Sequence, residues 1–336
     1  APAQPHLSPC SPAELRKLRN KQRDDYAMSR ILVRDKALGI KHLANQKRSE
    51  HGVGGNLWGA ALVLCRFLAS SSRPPGRYLN GKRILELGSG TGAVGLAAAS
   101  LGADVTLTDL PQVLPLTASN MAANSLCSPG TSLALLDWKV VANWPKDALP
   151  NYDLILCSDV LYWSDVVPDL AAVLGRLLQN GKTTLLWCWV RSFPSYVNGT
   201  QGLPRSKVQK VRGLQVLVDS LQHQAMKQTC VLSAGISGAA QTSMWNILRT
   251  EGHEHVAREL WRALAAQGIV VGRLPLESGL LQSEDFCHVS RHVEAFVGCA
   301  RGGQLDQDVA KDAMCNFVVD ADGCVKGVYS HACPSR

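Results

Sequence analysis

The segment Ile84-Leu85-Glu86-Leu87-Gly88-Ser89-Gly90-Thr91-Gly92 restricts the fold more than any other stretch of this 336-residue chain. An apolar run of strand length ends in an alternating glycine turn, and the turn opens into a helix of small residues, Val94 to Ala99. Glycines there let a ligand approach the backbone, and the helix N-terminus behind them offers unpaired N–H donors. Strand, glycine turn and helix in that order form the first half of a strand–helix–strand unit, which belongs in a parallel sheet.

The residues downstream keep that rhythm. Apolar runs stand at 83–87, 104–108, 132–136, 153–157 and 183–189, with helical stretches at 92–101, 112–124 and 165–179 between most of them. The expected class is therefore α/β, a doubly wound, mostly parallel sheet of Rossmann-like type. About fifty residues rich in Gly, Ser, Gln and Thr interrupt it after Ser192 and read as an insertion over 193–250. A helix at 252–267 and a strand at 268–274 resume the pattern, and Glu294-Ala-Phe-Val-Gly supplies a last antiparallel strand. Residues 316–328, with Asp322-Gly323 in the middle, read as a β-hairpin. Ahead of the glycine turn, Ala61, Leu62, Cys65 and Leu68 recur at helical spacing and predict a helix over 56–69.

The expected organisation is a basic N-terminal extension over 1–51, an α/β domain over 52–300 and a C-terminal extension over 301–336. In the first of these, Ser11-Pro12-Ala13-Glu14 forms a capping box that starts a basic helix. That helix is expected to stop before Ser29, with a short strand at Ile31-Leu32-Val33 and a polar stretch up to Gly52.

The formal charge of +8 is concentrated in residues 11–50, which hold eleven Lys or Arg against five Asp or Glu. Such a run points to an acidic partner, yet most charge runs are solvated helix faces, so a nucleic-acid partner is not expected. No apolar run reaches the roughly 20 residues that cross a bilayer, so no membrane partner is expected either. Eleven cysteines are scattered without a C-x-x-C pair, and the Cys and His residues between 287 and 333 lack zinc-ligand spacing. They read as reduced thiols, in keeping with the cytoplasm or nucleus, with no metal site.

A second acidic position completes a cofactor signature. The strand Asp104-Val-Thr-Leu-Thr ends at Asp109, 21 residues after Gly88, where a carboxylate accepts bonds from both hydroxyls of a ribose. Gly88-x-Gly90-x-x-Ala93 alone also satisfies the dinucleotide fingerprint. Three details favour S-adenosylmethionine instead: Glu86 at the strand end, Gly92 as a third alternating glycine, and Asp137-Trp138 after the third strand. An acidic side chain suits a cationic amino-acid ligand and repels a pyrophosphate.

With these residues the chain resembles the seven-β-strand, class I protein-lysine methyltransferases related to those acting on chaperones and elongation factors. The resemblance covers residues 52–192. It matches Gly54-Gly55-Asn56-Leu57-Trp58 to the family's Gly-x-x-x-Trp element and Asp159-Val160-Leu161-Tyr162 to its Asp-x-x-Tyr signature. It implies that Trp58, Glu86, Gly88, Gly90, Gly92, Asp109, Asp137, Trp138 and Ser158 hold S-adenosylmethionine. It further implies that Asp159 and Tyr162 act on a lysine of a protein substrate, with Trp163 nearby and Arg191 at the end of the fifth strand. A monomer is expected. Two other readings stay open: a nicotinamide-dependent oxidoreductase built on the same glycines, and a noncatalytic binding module that keeps the fold.

Overall fold

The computed structural model describes residues 7–17, 25–44, 52–70, 79–124, 129–141, 143–145, 148–161, 166–190, 257–274, 276, 293–306, 309 and 316–328. The expected insertion over 193–250 lies outside these residues, as do Tyr162, Trp163 and Arg191.

In chain order the elements begin with a short helix, α1 (Pro12–Lys17), and a hairpin of β1 (Tyr26–Val33) and β2 (Lys36–Leu43). A 3-10 turn over Gly52–Gly55 leads into α2 (Gly59–Ala69). Then strands and helices alternate: β3 (Arg83–Leu87), α3 (Ala93–Ser100), β4 (Asp104–Asp109), α4 (Leu114–Ala123), β5 (Ser132–Leu135), α5 (Trp138–Val141), β6 (Leu154–Ser158), α6 (Val167–Leu178) and β7 (Thr184–Val190). A helix over 257–266 precedes β8 (Ile269–Leu274) and β9 (Val293–Ala300), and a second hairpin pairs β10 (Phe317–Val319) with β11 (Val325–Val328).

Seven strands form one sheet in the order β5-β4-β3-β6-β7-β9-β8. The strands from β5 to β7 run parallel, and β9 is antiparallel to both β7 and β8. The doubly wound, mostly parallel sheet read from the alternating runs is thus the observed one. Its strands alternate between two cores. Ile84, Leu107, Leu156 and Leu186 pack with α2, α3 and the first hairpin; Leu85, Leu87, Ile155 and Trp187 pack with α6 and the helix over 257–266. Period-two alternation in a sheet covered on both faces makes each strand apolar throughout, which is why it was conspicuous in the sequence. The chain leaves β3 toward β4 and β5 on one side and returns for β6 and β7 on the other, so a crevice opens between the C-terminal ends of β3 and β6.

The N-terminal region differs from its expectation. The strand expected at 31–33 extends over Tyr26–Val33, and the supposed polar stretch contains its partner β2. Ile31 and Val33 alternate inward on β1, and Leu38, Ile40 and Leu43 are buried on β2. Lys36, Lys41 and His42 between them had hidden the pattern. The helix expected to run to about residue 28 is described only over Pro12–Lys17, where the capping box is present: Glu14 N–H donates to Ser11 Oγ, and Ser11 N–H donates to the Glu14 carboxylate.

Asn120 of α4 and Asn124, the residue that caps its C-terminus, fasten this hairpin to the domain. Asn124 accepts from the Gly39 N–H (3.0 Å) and donates to the Gly39 carbonyl (2.9 Å). Asn120 does the same at Lys41, at 2.8 and 2.9 Å. Their spacing of four along a helix puts both amides on one face, and Gly39 and Lys41 are alternate residues of one strand edge. Asn120 is fully buried, and truncating it would strand a donor and an acceptor on Lys41. Asn120→Ala is therefore expected to lower the unfolding free energy by about 2–3 kcal/mol, seen as a lower denaturant midpoint at unchanged slope. An unchanged midpoint would mean that water replaces these bonds without loss.

Candidate functional site

A cavity of about 590 Å³ occupies the crevice beyond the C-terminal strand ends. Residues following β3, β4, β5 and β6 form its floor, and the turn before α2 forms one side. Of the residues read from the motifs, Trp58, Gly88, Gly90, Asp109, Asp137, Trp138, Ser158 and Asp159 all line it. Glu86 and Gly92 are not among the lining residues, and both act from behind the wall. Tyr162 lies outside the described residues.

The glycine turn is possible because Gly88, Gly90 and Gly92 take φ values of +64°, +54° and +79°. At Gly90 a side chain would also collide with its surroundings, since a Cβ there would sit 3.0 Å from the Gly54 carbonyl oxygen. Gly92 is the left-handed residue that starts α3, so its contribution is conformational. Neighbouring elements satisfy the turn's own polar groups. Ser89 N–H donates to the Thr108 carbonyl (2.9 Å), Thr117 Oγ1 donates to the Gly90 carbonyl (2.7 Å), and Asn120 Nδ2 donates to the Thr91 carbonyl (2.8 Å).

Asp109 receives two backbone donors, Gly90 N–H on one carboxylate oxygen and Leu110 N–H on the other, both at 2.7 Å. A carboxylate offers about four lone-pair positions, so each oxygen keeps one for a ligand hydroxyl. Burial raises its pKa to about 6, with the two backbone bonds pulling in the opposite direction. Beyond β5, Asp137 accepts from the Lys139 N–H (3.0 Å), and the Trp138 ring lies beside Gly88. The Trp58 indole N–H donates to the Val53 carbonyl (3.1 Å), closing the turn that carries Gly54.

Glu86 sits beneath the turn, 1% exposed, on the face of β3 that meets α3. One carboxylate oxygen accepts from the Gly95 N–H (2.9 Å), and the other has no hydrogen-bond partner among the described residues. A Cβ on Gly95 would lie 2.5 Å from that carboxylate, so the mid-helix glycine makes room for it. Burial pushes the Glu86 pKa up to about 8, opposed by the Gly95 bond and reinforced by the Asp109 charge.

Asp159 follows β6 in a left-handed conformation at φ +53°, which Asp tolerates better than most residues. It is 7% exposed, and its N–H donates to the Cys188 carbonyl (2.9 Å), tying it to β7. Strained backbone held by surrounding structure is characteristic of functional positions. Trp189, one residue beyond Cys188, packs away from the cavity against Trp261 and Phe296, with ring centroids 6.0 and 6.4 Å away. Asn56, Ser89 and Asp169 also line the cavity, and Gly95 stands behind it; the motif reading assigned a role to none of them. Gly95 did leave a trace, as a glycine costs about 1 kcal/mol relative to alanine inside a helix of otherwise good formers.

The arrangement suits a nucleoside that carries a cationic tail. It offers hydroxyl acceptors at Asp109, an aromatic face at Trp138, a backbone cradle at the glycines and carboxylates at Asp137, Asp159 and Asp169.

The comparisons agree with this chemistry. Residues 38–195 match the family model described as lysine methyltransferase. The protein N-lysine methyltransferase METTL21A of Danio rerio is 37% identical over 142 residues, 42% of this chain and 62% of that protein. Its Mus musculus counterpart is 38% identical over 142 residues, with the same shares covered. The EEF1A lysine methyltransferase 3 of Mus musculus is 37% identical over 130 residues, 38% of this chain and 53% of that protein. The match spans less than two thirds of these relatives' own length. The resemblance read from the motifs is thereby met in the part of the chain that builds the cavity.

The raised Glu86 pKa has a measurable consequence. Between its ordinary value of 4.5 and about 8 the folded chain holds a proton that the unfolded chain has released. The stability this group contributes is therefore full below pH 4.5 and is lost as pH rises through 8. Asp109 adds the same trend between 3.8 and about 6. Glu86→Gln, neutral at every pH, is expected to melt at least about 2 °C above the native chain at pH 8.5, with the gap closing toward pH 5. Parallel melting curves across that range would show that the carboxyl is not held protonated.

Proposed function

We propose that this chain transfers a methyl group from S-adenosylmethionine to a lysine side chain of another protein. The observation that carries the proposal is one cavity in which the nucleoside-binding set, Asp109, Asp137, Trp138 and the glycine turn, meets the buried Asp159. The names of the relatives support the protein-lysine acceptor, and one of them is named for an elongation factor. The nicotinamide reading fares worse on the fold itself, because the dinucleotide-binding order 3-2-1-4-5-6 lacks an antiparallel strand slotted between the last two.

When bound, S-adenosylmethionine supplies a methyl group already activated on a sulfonium. The protein's task is then to align and dehydrate. Asp109, with lone pairs left beyond its two backbone donors, would hold the ribose hydroxyls, and Trp138 on the cavity wall would cover the base. Asp159 accepts hydrogen bonds from the arriving lysine nitrogen and turns it toward the cavity. Leaving water disfavours the lysine's charged form, so the proton departs to solvent on entry and the amine lone pair becomes available. Holding nucleophile and methyl donor in line contributes most of the rate, since a well-oriented pair gains several orders of magnitude over free reactants.

Two substitutions separate these roles. Asp109→Ala is expected to weaken S-adenosylhomocysteine binding more than about tenfold in calorimetry, because two hydroxyls lose a charged acceptor. Asp159→Asn keeps a residue that accepts the left-handed backbone, so ligand affinity should stay within about twofold while radiolabelled methyl transfer into lysate proteins falls at least about 100-fold. Full transfer by Asp159→Asn would remove Asp159 from the reacting site. Binding without transfer to any protein by the native chain would favour the noncatalytic module.

A further inference from the structure

Among the described residues, β1 pairs with β2 alone. In an antiparallel pair, opposite residues either exchange both backbone bonds or turn both away. Gly39 and Lys41 turn theirs away from β1, to Asn124 and Asn120. Their partners in register are Arg30 and Met28, so these two point their N–H and C=O groups outward from the opposite edge of the hairpin. Leu32, opposite Ala37, does the same. None of these backbone groups has a hydrogen-bond partner among the described residues.

The side chains of the same three residues stand on the outer face of the hairpin. Met28 is 64% exposed and Leu32 63%, more than any other large apolar side chain among the described residues, and Arg30 lies exposed between them. Opposite Arg30 and Leu32, β2 places only Gly39 and Ala37, whose side chains are too small to cover them. Most of the usual guards of a free edge are missing too, since β1 runs eight residues in unbroken register with no proline and no bulge.

We infer that the β1 edge is a docking site for an extended acidic segment of another protein, which adds a third strand antiparallel to β1 with a carboxylate opposite Arg30 and apolar side chains opposite Met28 and Leu32. No residue of β1 lines the cavity, so the inference does not depend on the function proposed above.

Donors and acceptors alternating at strand spacing are matched by another polypeptide backbone. Charge selects which one. Lys41 shares the outer face with Arg30, its ammonium 4.1 Å from the Tyr26 ring centroid. Residues 11–50 as a whole hold eleven Lys or Arg against five Asp or Glu. A second copy of this chain fits worse, because a two-fold axis at the middle of the edge sets Arg30 against Arg30, and like charges directly opposite are destabilising. A Glu or Asp at that position is paired instead.

The test uses the full chain and a fluorescein-labelled peptide, Ser-Val-Thr-Glu-Thr-Val-Ser, followed by fluorescence anisotropy at low salt. The native chain is expected to bind it saturably, and to bind the same peptide with lysine in place of glutamate at least about fivefold more weakly. Arg30→Glu should reverse that preference by a similar factor, which a loss of folding cannot do. N-methylation of the central glutamate, whose N–H faces Arg30, should abolish binding, whereas N-methylation of the next threonine, whose N–H faces away, should leave it within about twofold. Binding of neither peptide by the native chain would overturn the inference, as would a preference that Arg30→Glu leaves unchanged. Equal loss at both methylated positions would overturn the added strand. A native dimer that Leu32→Lys converts to monomers would assign the edge to a second copy and overturn the acidic partner.

Discussion

Backbone left open to a ligand must be held from elsewhere, and that requirement organises this molecule. Three glycines with positive φ between β3 and α3 cannot stabilise their own turn, because residues free to adopt such angles are also free to leave them. The surrounding elements therefore supply the partners. Thr108 and Asp109 act from the end of β4, Thr117 and Asn120 from α4, and the Gly54 carbonyl packs against Gly90 from the turn ahead of α2. The sheet order makes part of this possible, since β4 lies beside β3, while the turn ahead of α2 reaches Gly90 from outside the sheet.

The acidic groups of the site divide according to what surrounds them. Glu86 has one backbone donor and an apolar setting, which favours its neutral form. Asp109 has two donors beside a cavity and is raised less. Neutral Glu86 is compatible with its packing against Gly95, whereas Asp109 keeps lone pairs beyond the two that its backbone donors use. Two carboxyls one strand apart thus sit in opposite settings, one packed dry beneath the turn and the other facing the cavity.

How much of this was legible depended on whether the reason for a residue lay nearby in the chain. The parallel sheet was legible because both its faces are covered, leaving apolar runs separated by helical periods. Gly88, Gly90, Asp109 and Asp159 were legible because strand ends fix where they must fall. The β2 strand was not, since it carries Lys36, Lys41 and His42 among its buried residues and rests on asparagines some eighty positions away. Asn56 and Ser89 line the cavity but carried no such signal, because a single polar residue in a turn has no spacing that marks it. Glu86 was placed correctly at the strand end, but its orientation into α3 follows from Gly95, nine residues further on.

The paired amides of Asn120 and Asn124 have one more effect. On β2 they occupy the N–H and carbonyl groups that a neighbouring strand would otherwise take, so the side chains of α4 and its C-cap complete a ladder that has no third strand among the described residues. An exposed ladder invites pairing with another polypeptide and hence aggregation. Here that edge is already spoken for by the same helix that steadies the glycine turn, so protection against misassociation and support of the cavity come from a single row of residues.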